Sequence, residues 1–164
     1  MNAPRISLRP ATLDDAELLL EWRNDPSTRS RSLDPSVIEL EPHVAWLGRR
    51  LGNPANCRVY IAERDEHPVG QLRVERAAAA AQGIVSVSLD AGARGTGLGA
   101  ELIATGTVRA ASELSLSQVT AIVKDDNLAS FHAFTKAGYG ETQRELVQGH
   151  AVVILDWFAP SSSS

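Results

Sequence analysis

Four glycines and an arginine crowd the stretch LDAGARGTGLGAELI, Leu89 to Ile103: Gly92, Arg94, Gly95, Gly97 and Gly99 fall within eight residues, between a strand-like run and a helix-like run. Glycine lets backbone N–H groups close on a ligand, and a helix N-terminus adds the positive end of its dipole. That combination holds an anion, usually a phosphate. GTGLGA, Gly95 to Ala100, satisfies the dinucleotide fingerprint G-x-G-x-x-G/A between strand and helix. Two features tell against that reading: the first glycine comes five residues after Asp90, where the strand ends, and no repeated βαβ units follow. A Walker A loop fails sooner, because no Lys-Ser or Lys-Thr follows the last glycine. Cys57 is the only cysteine. An intrachain disulfide and a cysteine-based zinc site are excluded, and the residue reads as a small side chain in or beside a strand.

The elements that must position this loop follow from periodicity. RISLRP alternates Ile6 and Leu8 with polar neighbours and reads as a strand ended by Pro10. Thr12 and Asp15 make a helix start, Leu13, Ala16, Leu19 and Leu20 share a face, and Pro26 ends the helix near RNDP. A polar loop, STRSRSLDPS, leads to a second helix opened by Pro42, with Val44, Leu47 and Leu51 as its stripe. CRVYIAE and PVGQLRVER are strands joined through RDEHP. Five alanines, Ala77 to Ala81, are too few to nucleate a helix and read as a loop. IVSVSLD alternates with a period of two and runs into the glycines. Beyond them Leu98, Leu102, Gly106, Ala110 and Leu114 recur every fourth residue, one helical face against a sheet. QVTAIV is a strand, Asn127 an N-cap, and LASFHAFTKAG a helix closed by Gly138. Two strands turning near Gln148 and Gly149 finish the domain, and APSSSS is a disordered tail. The order is β-α-α-β-β-β-α-β-α-β-β.

At 164 residues and 43% hydrophobic, the chain suits one domain with its own core, residues 1–159, followed by the tail at 160–164. Twenty acids against sixteen bases give a net charge of −4 without a long basic run, which argues against nucleic acid. No segment approaches a signal peptide or the ~20 apolar residues of a membrane helix. The reading is of a soluble cytoplasmic protein.

Arg94, Gly97 and Gly99 match R/Q-x-x-G-x-G/A, and NLASFHAFTKAGY, Asn127 to Tyr139, carries an asparagine, small residues, a helix, a glycine and an aromatic. In these two motifs and in its element order the chain resembles the GCN5-related N-acetyltransferase superfamily. The resemblance implies an α/β (α+β) fold, with a central mixed sheet of six to seven strands splayed between the fourth and fifth and flanked by about four helices. It implies acetyl-CoA as co-substrate and no metal. The pyrophosphate would lie on Arg94, Gly95, Thr96, Gly97, Leu98 and Gly99, and the pantetheine arm along Val87, Ser88 and Leu89 with Asn127 bonded to it. A primary amine would attack the thioester directly.

The chain departs from the family pattern in two places. Where many relatives have a tyrosine that protonates the leaving thiolate, alignment of the second motif puts Phe134, which leaves water or a side chain such as His132 for that step. Where many have a glutamate on the strand before the loop, this chain has serines. Glu75, sharing a face with Gln71 and Arg73, is the nearest carboxylate by sequence and the candidate base, with an outward-facing solvated carboxylate as the competing reading. Trp22, Arg23, Asn24, Arg29, Arg31, His43 and Trp46 are similar to a branch that acetylates amino groups of nucleotide-linked sugars, so the expected partner is a small-molecule amine, with the protein a monomer or homodimer and neither nucleic acid nor membrane involved. Ribosomal-alanine-type, aminoglycoside and small-amine acetyltransferases begin similarly and stay open as alternatives. From another class, so does a non-catalytic CoA-binding sensor module.

Overall fold

A computed structural model describes residues 5–161. The last part of the tail expected at 160–164 lies outside the described residues, and Pro160 and Ser161 have no regular structure. Seven strands form one sheet: β1 (Ser7–Pro10), β2 (Cys57–Arg64), β3 (His67–Arg76), β4 (Gln82–Leu89), β5 (Gln118–Lys124), β6 (Gly140–Val147) and β7 (His150–Phe158). Their order is β1-β2-β3-β4-β5-β7-β6, with every neighbouring pair antiparallel except β4 and β5. Five helices flank it: α1 (Ala16–Asn24), α2 (Pro26–Arg31), α3 (Leu40–Leu51), α4 (Leu98–Leu114) and α5 (Leu128–Lys136).

The sheet separates two cores. On one face Tyr60, Leu72, Val74 and Leu155 pack with Ile103 and with Leu98, Leu102, Ala110 and Leu114 of α4, members of the predicted stripe at every fourth residue. Gly106 lies in that stripe because α4 presses on β3: a Cβ there would stand 2.8 Å from Leu72 Cδ1. On the other face Val59 and Ile61 pack with Leu19 and Trp22 of α1 and Leu47 of α3. Cys57, the first residue of β2, is buried there, and burial together with the charge of Glu75 pushes its thiol up to about 11. It is therefore protonated and inert at neutral pH.

The predicted caps form. Thr12 accepts from the Asp14 N–H while the Asp15 side chain accepts from the Thr12 N–H, a capping box over the 3₁₀ turn Leu13–Asp15 that leads into α1. Asn127 accepts from the Ser130 N–H to open α5. Gly138 adopts φ +105° just beyond that helix's end, and Gln148 and Gly149 make the last hairpin's two-residue turn.

Three details differ from the sequence reading. α3 begins at Leu40, so Pro42 lies within its first turn, where a missing N–H is harmless. Leu13 is 54% exposed, because the 3₁₀ turn rotates it off the face that Ala16 and Leu19 bury. The polar loop after α1 contains a further helix, α2. Asp25 caps it from outside by accepting from Ser27 N–H and Thr28 N–H, and Pro26 pre-sets its first turn.

Candidate active site

Parallel pairing between β4 and β5 covers only Gln82 to Ile84 against Gln118 to Thr120. From Val85 onward β4 keeps β3 as its neighbour while β5 continues along β7, so the two strands part. The gap opens into a groove of about 780 Å³ whose walls include Val87, Ser88 and Leu89 of β4, Ala121 to Lys124 of β5, Asn127 and Phe134 of α5, and Arg94, Gly95, Gly97 and Gly99 of the loop. Cofactor candidates read from the sequence are thus brought together around one space.

The loop is shaped by its glycines. Gly97 is the N-cap of α4 at φ +82°, a conformation that L side chains rarely adopt, and a Cβ there would meet Arg5 Nη2 at 3.3 Å. A Cβ on Gly95 would meet nothing within 4 Å, so the loop's outer surface is open. Thr96 turns its hydroxyl inward to the Ala93 carbonyl (2.5 Å), and Leu98 is core, which leaves these two residues only their backbone to offer a ligand. α4 is 17 residues long, and its first N–H groups have no partner within the helix.

The charge of the groove is one-sided. Arg31, Arg73, Arg94, Lys124 and Lys136 contribute to its walls, and no Asp or Glu does. In a chain of net charge −4 that is a local inversion, and it suits a polyanion. An open strand edge, a glycine loop at a helix mouth and this charge together fit acetyl-CoA, whose pantetheine arm needs the first and whose pyrophosphate needs the other two.

Across β4 lies a second, smaller cavity of about 410 Å³, bounded by α1, α2, α3, β3 and β4 and meeting the groove at Ser86, Val87 and Ser88. Arg23, His43 and Trp46 line it. Trp46 lies under Arg73 (4.8 Å from the guanidinium carbon to the ring centroid) and Arg50 (5.7 Å), and stacks with His43 at 5.6 Å. Burial lowers the pKa of Arg73, with Glu75 opposing. Burial and then the charge of Arg23 hold His43 below 6.5 against a hydrogen bond to the Ala16 backbone, so the ring is neutral at pH 7.

Other acceptor candidates have structural partners. Trp22 is 3% exposed and donates from Nε1 to Asp90 Oδ1 (2.9 Å), while Asp90 Oδ2 accepts from the Gly92 N–H, so this tryptophan ties α1 to the start of the glycine loop. Asn24 clamps Ile38 through both its backbone groups, and Arg29 donates to the Pro35 carbonyl, so both brace the segment that walls the cavity. Arg31 lines the larger groove and not the smaller cavity. Glu75 lines neither: its Oε1 sits 3.0 Å from Arg50 Nε and 2.9 Å from Arg73 Nε, and it steadies the two guanidinium groups over Trp46. Phe134 is 3% exposed, edge-on to Tyr139 at 5.0 Å, while His132 lines the groove beside it from an exposed position.

Sequence reasoning did not single out Asp25, Thr28 or Gln71. Arg94 Nη2 bonds Asp25 Oδ1 and Thr28 Oγ1, each at 3.1 Å, and the Leu89 carbonyl at 3.3 Å, joining the donor loop to α2. Gln71 Nε2 donates to Ser88 Oγ at 2.9 Å and fixes a hydroxyl where the two cavities meet. Asp-Pro followed by Ser-Thr was a legible signal for Asp25, because Asp at an N-cap and Pro at the next position open helices.

The Acetyltransferase (GNAT) domain family matches residues 5–140, and the chain belongs to it. It is an acyltransferase, a member of the N-acetyltransferase class whose fold the parted strands define. No curated protein sequence matches it. Among solved structures it is similar to spermidine N-acetyltransferase from Vibrio cholerae in complex with CoA and spermine, at TM-score 0.83 and 14% identity over 95% of this chain and 96% of that one. AAC(6')-Ib in complex with ribostamycin and coenzyme A gives 0.81 and 16% over 93% of each chain. A ribosomal-protein-alanine N-acetyltransferase from Brucella melitensis gives 0.80 and 22% over 93% of this chain and 99% of that one. At these identities the likeness speaks to the fold. Among the described residues no cluster of three or more His, Cys, Asp or Glu could hold a metal, and no helix is long and apolar enough to cross a membrane.

Proposed function

We propose that the chain, working as one domain over residues 1–159, transfers the acetyl group of acetyl-CoA to a primary amine, the donor lying in the larger groove and the amine in the smaller cavity. The observation that carries this is the parting of β4 from β5 above the Gly95–Gly99 loop, in a groove lined by five cations and no carboxylate. The amine nitrogen attacks the thioester carbonyl beside Ser86 to Ser88, where the two spaces meet. The C–N bond forms, the C–S bond breaks, the amine gives up a proton and the thiolate takes one. With Phe134 lacking a hydroxyl, that second proton comes from water or from His132. With Glu75 tied to two arginines, attack depends mainly on the amine being held deprotonated and close to the thioester.

For the acceptor we keep the nucleotide-linked amino sugar, on the support of an aromatic ring flanked by guanidinium groups in a cavity without acidic side chains. The experiment is release of CoA thiol from acetyl-CoA with UDP-amino sugars, N-terminal peptides, spermidine and aminoglycosides. Turnover with a UDP-amino sugar supports the full reading. Turnover with another amine keeps the reaction and replaces the acceptor. Retention of acetyl-CoA with no thiol released above background would make the chain a CoA-binding module.

A further inference from the structure

Two residues that line the smaller cavity each carry a buried polar atom with no hydrogen-bond partner: Arg23 Nη1 and His43 Nε2. Buried polar groups are almost always paired, so each such exception needs an explanation. His43 is 5% exposed. The Ala16 backbone favours the protonated ring, which assigns the N–H of the neutral imidazole to that side. That leaves Nε2 of the neutral ring as a hydrogen-bond acceptor without a donor. Arg23 donates from Nη2 to the Asp34 carbonyl at 2.8 Å, and among the described residues it forms no salt bridge. The Asp34 carboxylate is near enough to feel the charge of Arg23, but its Oδ1 already accepts from Ser36 N–H and Ser36 Oγ.

The rest of the wall sharpens the point. Arg73 is paired with Glu75 at 2.9 Å, so Arg23 is the lining arginine without a salt bridge, and no Asp or Glu lines the cavity. A polyamine or an aminoglycoside carries several positive charges and needs carboxylates to receive them. This cavity offers the opposite charge.

We infer that the amine acetylated here carries an acidic group, a carboxylate or a phosphate, that accepts from Arg23 Nη1, and that a donor next to it, an N–H or O–H of the same molecule, bonds to His43 Nε2. The inference rests on acetyl transfer in this cavity but not on the acceptor being a nucleotide sugar. An amino acid, an amino-sugar phosphate and a nucleotide-linked amino sugar share the chemistry.

The test uses matched pairs that differ in the acidic group: glucosamine 6-phosphate and glucosamine, a UDP-amino sugar and the free amino sugar, and an amino acid and its methyl ester, with spermidine and kanamycin as polycations. Thiol release is followed for the wild type and for Arg23→Gln. In each pair turned over, the acidic member should have kcat/KM higher by about tenfold or more, the return expected from one charged hydrogen bond. Arg23→Gln should reduce that advantage to less than about threefold through the acceptor KM, leaving the KM for acetyl-CoA unchanged. Preference for a neutral member or a polycation, or an advantage that survives in Arg23→Gln, overturns the inference. A second measurement is independent of turnover: the His43 ring resonances in wild-type protein should shift on adding the acidic members and stay in place with the neutral ones. Absence of any shift with every acidic member overturns the anion subsite even if acetylation is seen, whereas a shift without acetylation upholds the subsite and removes the transferase reading instead.

Discussion

The two sides of β4 are built from different material. On the donor side the reactive surface is backbone: a glycine loop, the mouth of α4 and the strand edge left free where β5 departs. On the acceptor side it is side chains from α1, α2, α3 and β3, each held by another, such as Arg73 between Trp46 and Glu75 or Asn24 around Ile38. A backbone surface demands particular residue types at fixed spacing, because a single Cβ can close it. A side-chain surface can be assembled from many sequences, since what matters is which residues turn inward. The donor side should therefore fail abruptly on substitution and the acceptor side by degrees.

The largest effect is expected at Gly97. Valine there would be forced to φ +82°, which a β-branched residue tolerates poorly, with its Cβ 3.3 Å from Arg5 Nη2. Gly97→Val should weaken acetyl-CoA binding by about a hundredfold or more, some 3 kcal/mol, while circular dichroism shows the helices retained. Near-normal calorimetric affinity in a folded variant would break the contrast, because the loop's backbone would then not be the binding surface.

Next comes the joint between the sides. Asp25 caps α2 through Ser27 N–H and Thr28 N–H and pairs with Arg94 at 3.1 Å. Asp25→Ala removes both, so α2 should loosen as a wall of the acceptor cavity. We expect the acceptor KM to rise about tenfold, the acetyl-CoA KM to change less, and unfolding to become easier by about 1 kcal/mol, the usual effect of a lost N-cap. An equal rise for both substrates would mean that Arg94 depends on Asp25 to shape the donor loop, and the two sides would not be separable.

The same contrast explains what could be read from the sequence. The glycine loop, the capping box at Thr12 and Asp15, the Asn127 cap and the Gly138 terminus were legible because backbone geometry restricts residue type at those places. The position of the splay was not a matter of spacing at all and came with the family resemblance. α2 was missed because PSTRSR has no apolar residue and buries none, so periodicity has nothing to detect. Trp22 was grouped with the acceptor residues, and it points into the core under Asp90, since the sequence does not say which way one tryptophan turns on a short helix. Glu75 shared a face with Gln71 and Arg73 as read, but its ion pairs depend on Arg50 arriving from α3, 25 residues away. Contacts of that kind are a product of tertiary packing.

Arg31 sharpens the comparison further. From the sequence both Arg29 and Arg31 were expected to serve an anionic acceptor, whereas their placement puts Arg31 on the donor groove and Arg29 on the Pro35 carbonyl. Arg31→Ala should raise the acetyl-CoA KM about three- to tenfold, as for one exposed phosphate contact, with the acceptor KM unchanged. A rise confined to the acceptor would return Arg31 to the cavity side and shrink the donor groove's positive charge.

The smallest effect is one of stability, and pH isolates it. His43 is held below its ordinary pKa of 6.5 by burial first and by Arg23 second. Because its folded value is the lower one, the unfolded chain binds a proton first as the pH falls through 6.5, so the fold loses stability on acidification and loses none from this group above 6.5. Asp15 behaves differently. The two bonds from Arg9 lead the effects that lower its pKa below 3.8, so its contribution is complete above that value and lost only as the pH falls through the lower folded one. Asp25 and Asp34 are lowered in the same direction. None of these carboxylates therefore changes its contribution between pH 7.5 and 5. The other histidines are present in wild type and variant alike and cancel in a difference. The Tm of wild type relative to that of His43→Gln should fall by a few degrees between pH 7.5 and pH 5, because only the wild type carries the penalty of a buried imidazole refusing a proton. A gap constant across the range would mean that His43 titrates as freely as an exposed histidine, and that the acceptor side is wet where its side chains are packed as if dry.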